Sequence, residues 1–484
     1  MNSRDLLSTS FALTMMRSMR RMFFPPLLSA VLFIGLCQPG LTQYEALELG
    51  PEEPTAPVLP ANGVTLFQNV RIFDGKSAAL SAPSGVLVKG NIIEKVSADP
   101  AATEAGAGVR VINANGRVLM PGLIDAHWHM FMAAVSPAVV MTADPGYLNL
   151  LAARQAEATL MRGFTTIRDL GGPVFGLKRA IDEGVTVGPR IYPSGAMISQ
   201  TSGHGDFRFH YEVPRTLGGP LSQSEISGVA AIADSPDEVR LRAREQLRHG
   251  ASQIKLMAGG GVSSPLNPIE STQYTEAELH AAVEAADNWG TYVTVHAYTP
   301  AAIRQAVAAG VKCIEHGQLI DEPTAKLLAD NGIWWSLQPL TYDADVFARM
   351  SPVSQKKALV VFAGTENAYK LAKKYKVKTA WGADILGDAG AASRQGQYLA
   401  MMVRWYTPAE ALKMATADNG ELMALSGYIN PYPGKLGVVE TGALADLLLV
   451  DGNPLEDINL VANPDKNFVV IMKDGRIYKN TLSK

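Results

Sequence analysis

Residues 118–130 read "VLMPGLIDAHWHM". An apolar run turns through Pro121-Gly122, resumes, and then places Asp125, His127 and His129 at alternate positions. On an extended strand, residues two apart face the same side. The two imidazoles therefore point together, with Asp125 one step deeper on the same face. Two neutral imidazoles converging on one point make half of a metal site. Asp125 has two readings: it bonds an imidazole from behind, or it is a buried carboxylate satisfied by other donors.

Outward from this stretch, strand and helix alternate. Eight apolar β-type runs cover residues 122–129, 165–169, 190–198, 253–257, 292–297, 313–315, 333–337 and 379–383. Helical stretches lie between most of them. Ser235-Pro236-Asp237-Glu238, Thr275-Glu276-Ala277-Glu278 and Thr407-Pro408-Ala409-Glu410 each put a hydroxyl at the N-cap and Glu three residues on, the pattern of a capping box. Eight such alternations over about 300 residues predict a (β/α)8 barrel. An open doubly wound sheet fits less well, because no Gly-x-Gly-x-x-Gly opens a first helix. The Gly-rich loop "MAGGGVSS" (257–264) lacks the Lys-Ser/Thr of a phosphate loop. It reads as a turn whose backbone passes close to the site.

The two ends differ from the middle. Residues 64–120 carry short β runs punctuated by Asn-Gly and Lys-Gly, and "GKLGVVETGALADLLLVDGNP" and "FVVIMKDGRIYKN" resume that style near the C-terminus. The expected architecture is α/β: a (β/α)8 TIM barrel over residues 121–426 and a small β-sandwich built from 62–120 and 427–484.

At the start, Arg17, Arg20 and Arg21 precede the apolar "LLSAVLFIGLC" (27–37), followed by Gln38-Pro39-Gly40. A basic segment, a short apolar core and turn-forming residues make a secretory signal over 1–42. "MRRMFF" admits twin-arginine export. Bulky Leu36 argues against a lipid-modified Cys37. Residues 43–61, rich in Pro and Glu, read as a linker. The apolar core is shorter than the about 20 residues of a bilayer span, so the expectation is an exported protein, periplasmic or secreted, without stable membrane insertion. Once the signal leaves with Cys37, Cys313 has no partner for an intrachain disulfide. Of the 484 residues, 43 are Lys or Arg and 46 Asp or Glu, a net charge of −3. That balance offers no field for nucleic acid. A small-molecule substrate is the expected partner and a homo-oligomer the expected assembly.

More chemistry-bearing residues fall at strand ends, where barrel active sites lie. His296 closes "TYVTVHAY" and His316 follows "VKCIE". His249 and His280 lie on polar helical stretches and are assigned to the surface. Asp384 ends the eighth run, in "VKTAWGADILGD". A carboxylate there can ligate an ion and take a proton; Asp388 fits a helix cap better. Lys255, in "ASQIKLMAG", puts an ammonium on an apolar strand, which is costly. Two readings stay open. CO2 carbamylates it into an anion that bridges two cations, or it pairs with a buried carboxylate such as Asp169 or Asp384.

"PGLIDAHWH", "QIKLMAGGG", "VTVHAY", "IEHG", "WGADI" and "GALADLLLVDGNP" together resemble the amidohydrolase superfamily. "TTIRDLGG" and "SGHGD" resemble its branch of metal-dependent Xaa-Pro dipeptidases, broad carboxypeptidases and ochratoxinase-type amidases. The likeness runs over about residues 62–484. It implies a binuclear site, usually zinc. His127 and His129 would hold one ion with Asp384, carbamylated Lys255 would bridge, and His296 and His316 would hold the second. It further implies that His204 and Tyr298 contact the carboxylate of a substrate's C-terminal residue. Arg168 and Asp169 are read as a buried pair supporting the second strand. The reaction expected is amide hydrolysis with Asp384 as proton carrier. The expected substrate is a small N-acyl amino acid or dipeptide with a free carboxylate, ochratoxin-like amides included. "HYEVPR" and "WWSLQP" offer aromatic surface near loops. A cyclic-amide hydrolase resembling imidazolonepropionase is the alternative enzyme. A non-catalytic binding protein of the same fold is the alternative of another class, although six retained ligand positions argue for a working enzyme.

Overall fold

A computed structural model describes residues 63–98, 108–264 and 266–482. The expected leader at 1–42 and linker at 43–61 lie outside the described residues, as does Cys37. Five strands precede the first histidine: β1 (Val64–Ile72), β2 (Ser84–Lys89), β3 (Ile92–Ser97), β4 (Val109–Asn113) and β5 (Val118–Pro121). Then come β6 (Leu123–Trp128), β7 (Phe164–Asp169), β8 (Arg190–Pro193), β9 (Met197–Ser199), β10 (Ala230–Ile232) and β11 (Ile254–Met257). β12 (Val293–Ala297), β13 (Cys313–His316), β14 (Trp334–Leu337) and β15 (Thr379–Trp381) complete the middle, and β16 (Leu447–Val450), β17 (Phe468–Lys473) and β18 (Arg476–Asn480) close the chain.

The two chain ends share one sheet, in the order β18-β17-β16-β5-β1-β2-β3, with β4 on β1. β16 joins β5 antiparallel, Leu449 opposite Leu119. The run "LLLV" of β16 is apolar at every position because it is covered on both faces. Leu447 and Leu449 enter the sandwich core with Leu119 and Met472. Leu448 and Val450 enter the large barrel core with Val118 and Met120. Period-two alternation thus serves two cores at once.

The middle strands are parallel throughout. β6-β7-β8 form one arc and β9-β11-β12-β13-β14-β15 the other, with β10 on β9. The arcs are tied at both junctions. Ser252 N–H donates to Pro193 O at 2.7 Å and Asp384 N–H to His127 O at 2.9 Å. The closed ring with outer helices is a (β/α)8 barrel, joined to the β-sandwich of the two ends. β6, β7 and β11 to β14 are buried at every residue, as strands covered on both faces must be. The expected run at 190–198 is two strands rather than one. Gly195 between them has φ +72°, and a Cβ there would lie 2.3 Å from Gln246 Oε1. That same oxygen accepts the Ala196 N–H at 2.9 Å, so the kink is built for a side chain that plugs it.

Two of the three expected capping boxes close fully, at Thr275/Glu278 and Thr407/Glu410. At Ser235 only the hydroxyl half forms. Glu238 reaches one residue further back and accepts the Asp234 N–H at 2.8 Å. Among the described residues no helix is long and apolar enough to cross a membrane.

Candidate active site

The strand ends bring the imidazoles into one arc. Ring centroids lie 5.2 Å apart for His129 and His127, 4.9 Å for His127 and His316, and 4.4 Å for His316 and His296. His204 continues the arc 4.3 Å from His296, and Tyr298 lies against both His296 (4.9 Å) and His316 (5.1 Å). Asp384 faces them. Its Oδ1 is 3.3 Å from Nε2 of His127 and 3.3 Å from Nε2 of His129, and its Oδ2 is 3.8 Å from Nδ1 of His316. His127, His316 and Asp384 offer donor atoms that all lie within 4.8 Å of one another, a grouping that could hold one ion.

Two of these residues sit in a backbone conformation that L-residues avoid. His316 has φ 76° and Asp384 φ 49°. Left-handed backbone at a non-glycine residue costs about 1–2 kcal/mol, and such strain clusters at functional sites. Here it turns both side chains out of their strands into the mouth. Trp335, from "WWSLQP", donates Nε1–H to His316 O at 2.6 Å and pins that turn. "HYEVPR" plays no such part; its Tyr211 is 80% exposed.

Lys255 lies at the centre, 1% exposed. Its Nζ has no hydrogen-bond partner, so the pairing with Asp169 or Asp384 does not form. Its charge acts on His127, His204, His296 and His316. Burial brings the ammonium down to about 8, within reach of the neutral amine at moderate pH. Burial also pushes the imidazoles of His127, His296 and His316 below their ordinary value, leaving them neutral as metal ligands must be. Burial alone would raise Asp384, but the imidazoles of His127, His129 and His316 outweigh it and hold the carboxyl well below the usual range.

The partners behind the arc differ from expectation. Asp125 is the satisfied carboxylate of the two readings. Its Oδ1 accepts the N–H of His127 (3.0 Å) and of Ala383 (3.1 Å), and its Oδ2 accepts Gln395 Nε2–H (2.8 Å). It bonds backbone on either side of the β6–β15 seam rather than a ring. Arg168 and Asp169 do not pair, because neighbours on a strand face opposite ways. Asp169 accepts Met130 N–H at 2.7 Å and Gly171 N–H at 3.3 Å. Arg168 instead meets Glu315 at 2.6 Å. Glu315, unremarked in the sequence, is the carboxylate that meets His127 from behind, opposite Asp384: its Oε2 lies 2.9 Å from His127 Nδ1. The available signal was its place two residues after Cys313 on a strand, facing the barrel interior.

The glycine loop passes close, as expected. Gly260 O accepts His296 Nε2–H at 3.0 Å, and a Cβ on Gly261 would fall 2.0 Å from His204 Cε1. Lys357, on helix Pro352–Tyr375, holds the loop by donating to Gly261 O (3.1 Å), Ser264 O (2.6 Å) and Asn267 O. His204 has a buried Nδ1 without a hydrogen-bond partner, and burial followed by Lys255 lowers it to about 3. His249 and His280 are exposed. Asp388 caps helix Ala389–Ser393 and pairs with Arg349 at 2.5 Å.

The model of the amidohydrolase family matches residues 118–478. The chain is 32% identical to ochratoxinase of Aspergillus niger over 376 residues, 75% of this chain and 76% of that one. Among solved structures, a prolidase complexed with N-methylphosphonate-L-proline superposes with a TM-score of 0.79 at 34% identity, covering 86% of this chain and all of the other. A Xaa-Pro dipeptidase with bound methionine in its active site gives 0.75 at 29% identity, with 86% and 100% covered.

Proposed function

The chain belongs to the amidohydrolase family, and from that premise we propose a binuclear hydrolase that cleaves the amide of a small N-acyl amino acid or dipeptide bearing a free carboxylate. Hydrolysis of amide bonds comes with the family and its ochratoxinase and dipeptidase relatives. The two-metal site and the substrate are our reading. One observation carries it: Lys255 Nζ and His316 Nδ1 are buried without hydrogen-bond partners, beside neutral imidazoles and an ionised carboxylate. Folded proteins pair most of their buried polar atoms, and an unpaired amine and an unpaired imidazole nitrogen in one barrel mouth fit a group that joins them.

His127, His129 and Asp384 would hold one ion, His296 and His316 the other, with a carbamate on Lys255 between them. Carbamylation needs the free amine, which burial favours here. Metal ions held there, zinc in our reading, would supply the Lewis acidity for activating water near neutral pH and polarising the scissile carbonyl. Asp384, held ionised, takes the proton of the attacking water and delivers it to the leaving nitrogen. His204, neutral by burial, and Tyr298, whose phenol burial keeps protonated, would each donate a hydrogen bond to the substrate's carboxylate.

The test is a panel of dipeptides, N-acyl amino acids, their C-terminal amides and cyclic ureides, incubated with zinc-loaded protein and followed by product mass. Turnover of the free acids in preference to their amides is expected. Turnover confined to ring substrates would replace this reading with the cyclic-amide one. Export directed by the leader is likewise proposed from sequence, and N-terminal sequencing of the extracytoplasmic protein checks it.

A further inference from the structure

We infer that Glu315 and Arg168 are positioning residues that fix the tautomer and orientation of His127 and so set the affinity of one metal position. The inference rests on the two-metal reading above. An ionised carboxylate only accepts hydrogen bonds. Glu315 Oε2, 2.9 Å from His127 Nδ1, therefore places the ring proton on Nδ1. Nε2 is left with its lone pair, on the side where Asp384 lies 3.3 Å away. Gln338 Nε2 also approaches His127 Nδ1, at 3.3 Å, but an amide N–H cannot bond a nitrogen that carries the proton. Its two hydrogens have Ser336 O at 2.9 Å and Ser336 Oγ at 3.4 Å as acceptors instead.

Glu315 is itself held. Its Oε1 accepts from Arg168 Nη2 (2.6 Å), from Thr294 Oγ1 and from Cys313 Sγ (3.3 Å). Arg168 does more than neutralise it. Its Nε donates to Ala126 O at 2.6 Å, on the residue directly before His127, and its Nη1 donates to Tyr292 OH at 3.2 Å. One guanidinium thus grips both the strand that carries the imidazole and the carboxylate that orients it. Both side chains are completely buried, so solvent cannot substitute for either.

Replacing Glu315 with Gln keeps the shape and changes one feature. Arg168 and Thr294 are donors and claim the amide oxygen, so the amide N–H2 faces His127 Nδ1. The ring then has to present a lone pair there and carry its proton on Nε2. Removing such a partner typically weakens metal binding about 10- to 100-fold. Glu315→Gln leaves Arg168 without its counter-charge, so Glu315→Gln/Arg168→Met is made alongside it. Zinc content and affinity are read by competition with a chromophoric chelator, and folding by thermal melts of the metal-free proteins. The expected result is two zinc ions per chain in the wild type, with one of them bound about 10- to 100-fold more weakly in a folded variant. A folded variant that holds both ions as tightly as the wild type overturns the inference and leaves the two-metal reading standing. A wild type that binds no zinc overturns both. Long-range 15N spectra of histidine-labelled, metal-free wild type need no variant: His127 protonated at Nδ1 supports the inference, and protonation at Nε2 overturns it.

Discussion

Both ends of the barrel bury polar and charged groups, yet they treat them oppositely. At the end away from the histidines, Asn419, Arg190 and Lys473 all find their partners within the protein. Asn419 donates to Ile124 O (2.7 Å) and Trp381 O (2.8 Å) and accepts Trp381 N–H (3.2 Å). Arg190 meets Asp446 at 2.9 Å and Asp474 at 2.6 Å, and Lys473 donates to Gly188 O at 2.9 Å. At the rim, Lys255 Nζ, His204 Nδ1 and His316 Nδ1 have no hydrogen-bond partner, and His316 and Asp384 carry left-handed backbone. Unmatched buried groups cost stability. Unpaired hydroxyls such as Thr165 Oγ1 and Ser252 Oγ occur elsewhere, but the unpaired amine and imidazoles gather at the rim, where the fold accepts that cost so that something else can bind.

On this contrast, rim substitutions change chemistry and those at the opposite end change stability. The largest effect is expected at Asp384. Asp384→Asn should lower kcat by about 10²- to 10⁴-fold, the usual worth of a general base, while zinc remains; near-wild-type turnover with zinc retained would remove the proton-carrying role. Next is Gly261→Ala, whose methyl must displace the His204 ring. We expect KM for carboxylate substrates to rise about 10- to 100-fold, as for loss of a hydrogen bond to a charged group, with zinc content unchanged. An unchanged KM would take His204 out of substrate binding.

At the other end, Asn419→Ala strands three backbone groups and should cost about 3 kcal/mol in urea unfolding, with kcat per folded molecule intact. The smallest effect concerns Lys473, which burial lowers from 10.5 to about 8. Between those values the unfolded chain holds a proton that the native chain has shed, so stability rises with pH across that window and changes little from this group below it. Measured against Lys473→Met, the wild type should gain about 1–2 kcal/mol from pH 8 to pH 10. A difference that stays flat would show that Lys473 keeps its charge throughout.

Much of this was legible in the chain. The alternation of "LIDAHWH", the continuous apolar strands and the closing "LLLV" are local patterns. Their meaning depends only on strand geometry, so the barrel and the shared sheet could be anticipated. The gathering of His127, His129, His296, His316 and Asp384 followed from one rule, that they lie at the same ends of parallel strands in one ring. Where the backbone departs from that rule, the reading blurred: the run at 190–198 breaks at Gly195 because Gln246, from a helix 50 positions on, occupies the gap.

The partners behind the site were beyond reach for the same reason. Asp125 finds Gln395 across 270 positions and Arg168 finds Glu315 across 147, while the adjacent Arg168 and Asp169 face apart. Which side of a strand a residue faces is written in its neighbours, through a period of two. Which charge it meets inside a closed ring depends on strand stagger and side-chain length around the whole barrel, and those are settled only when the ring closes and water is expelled from it.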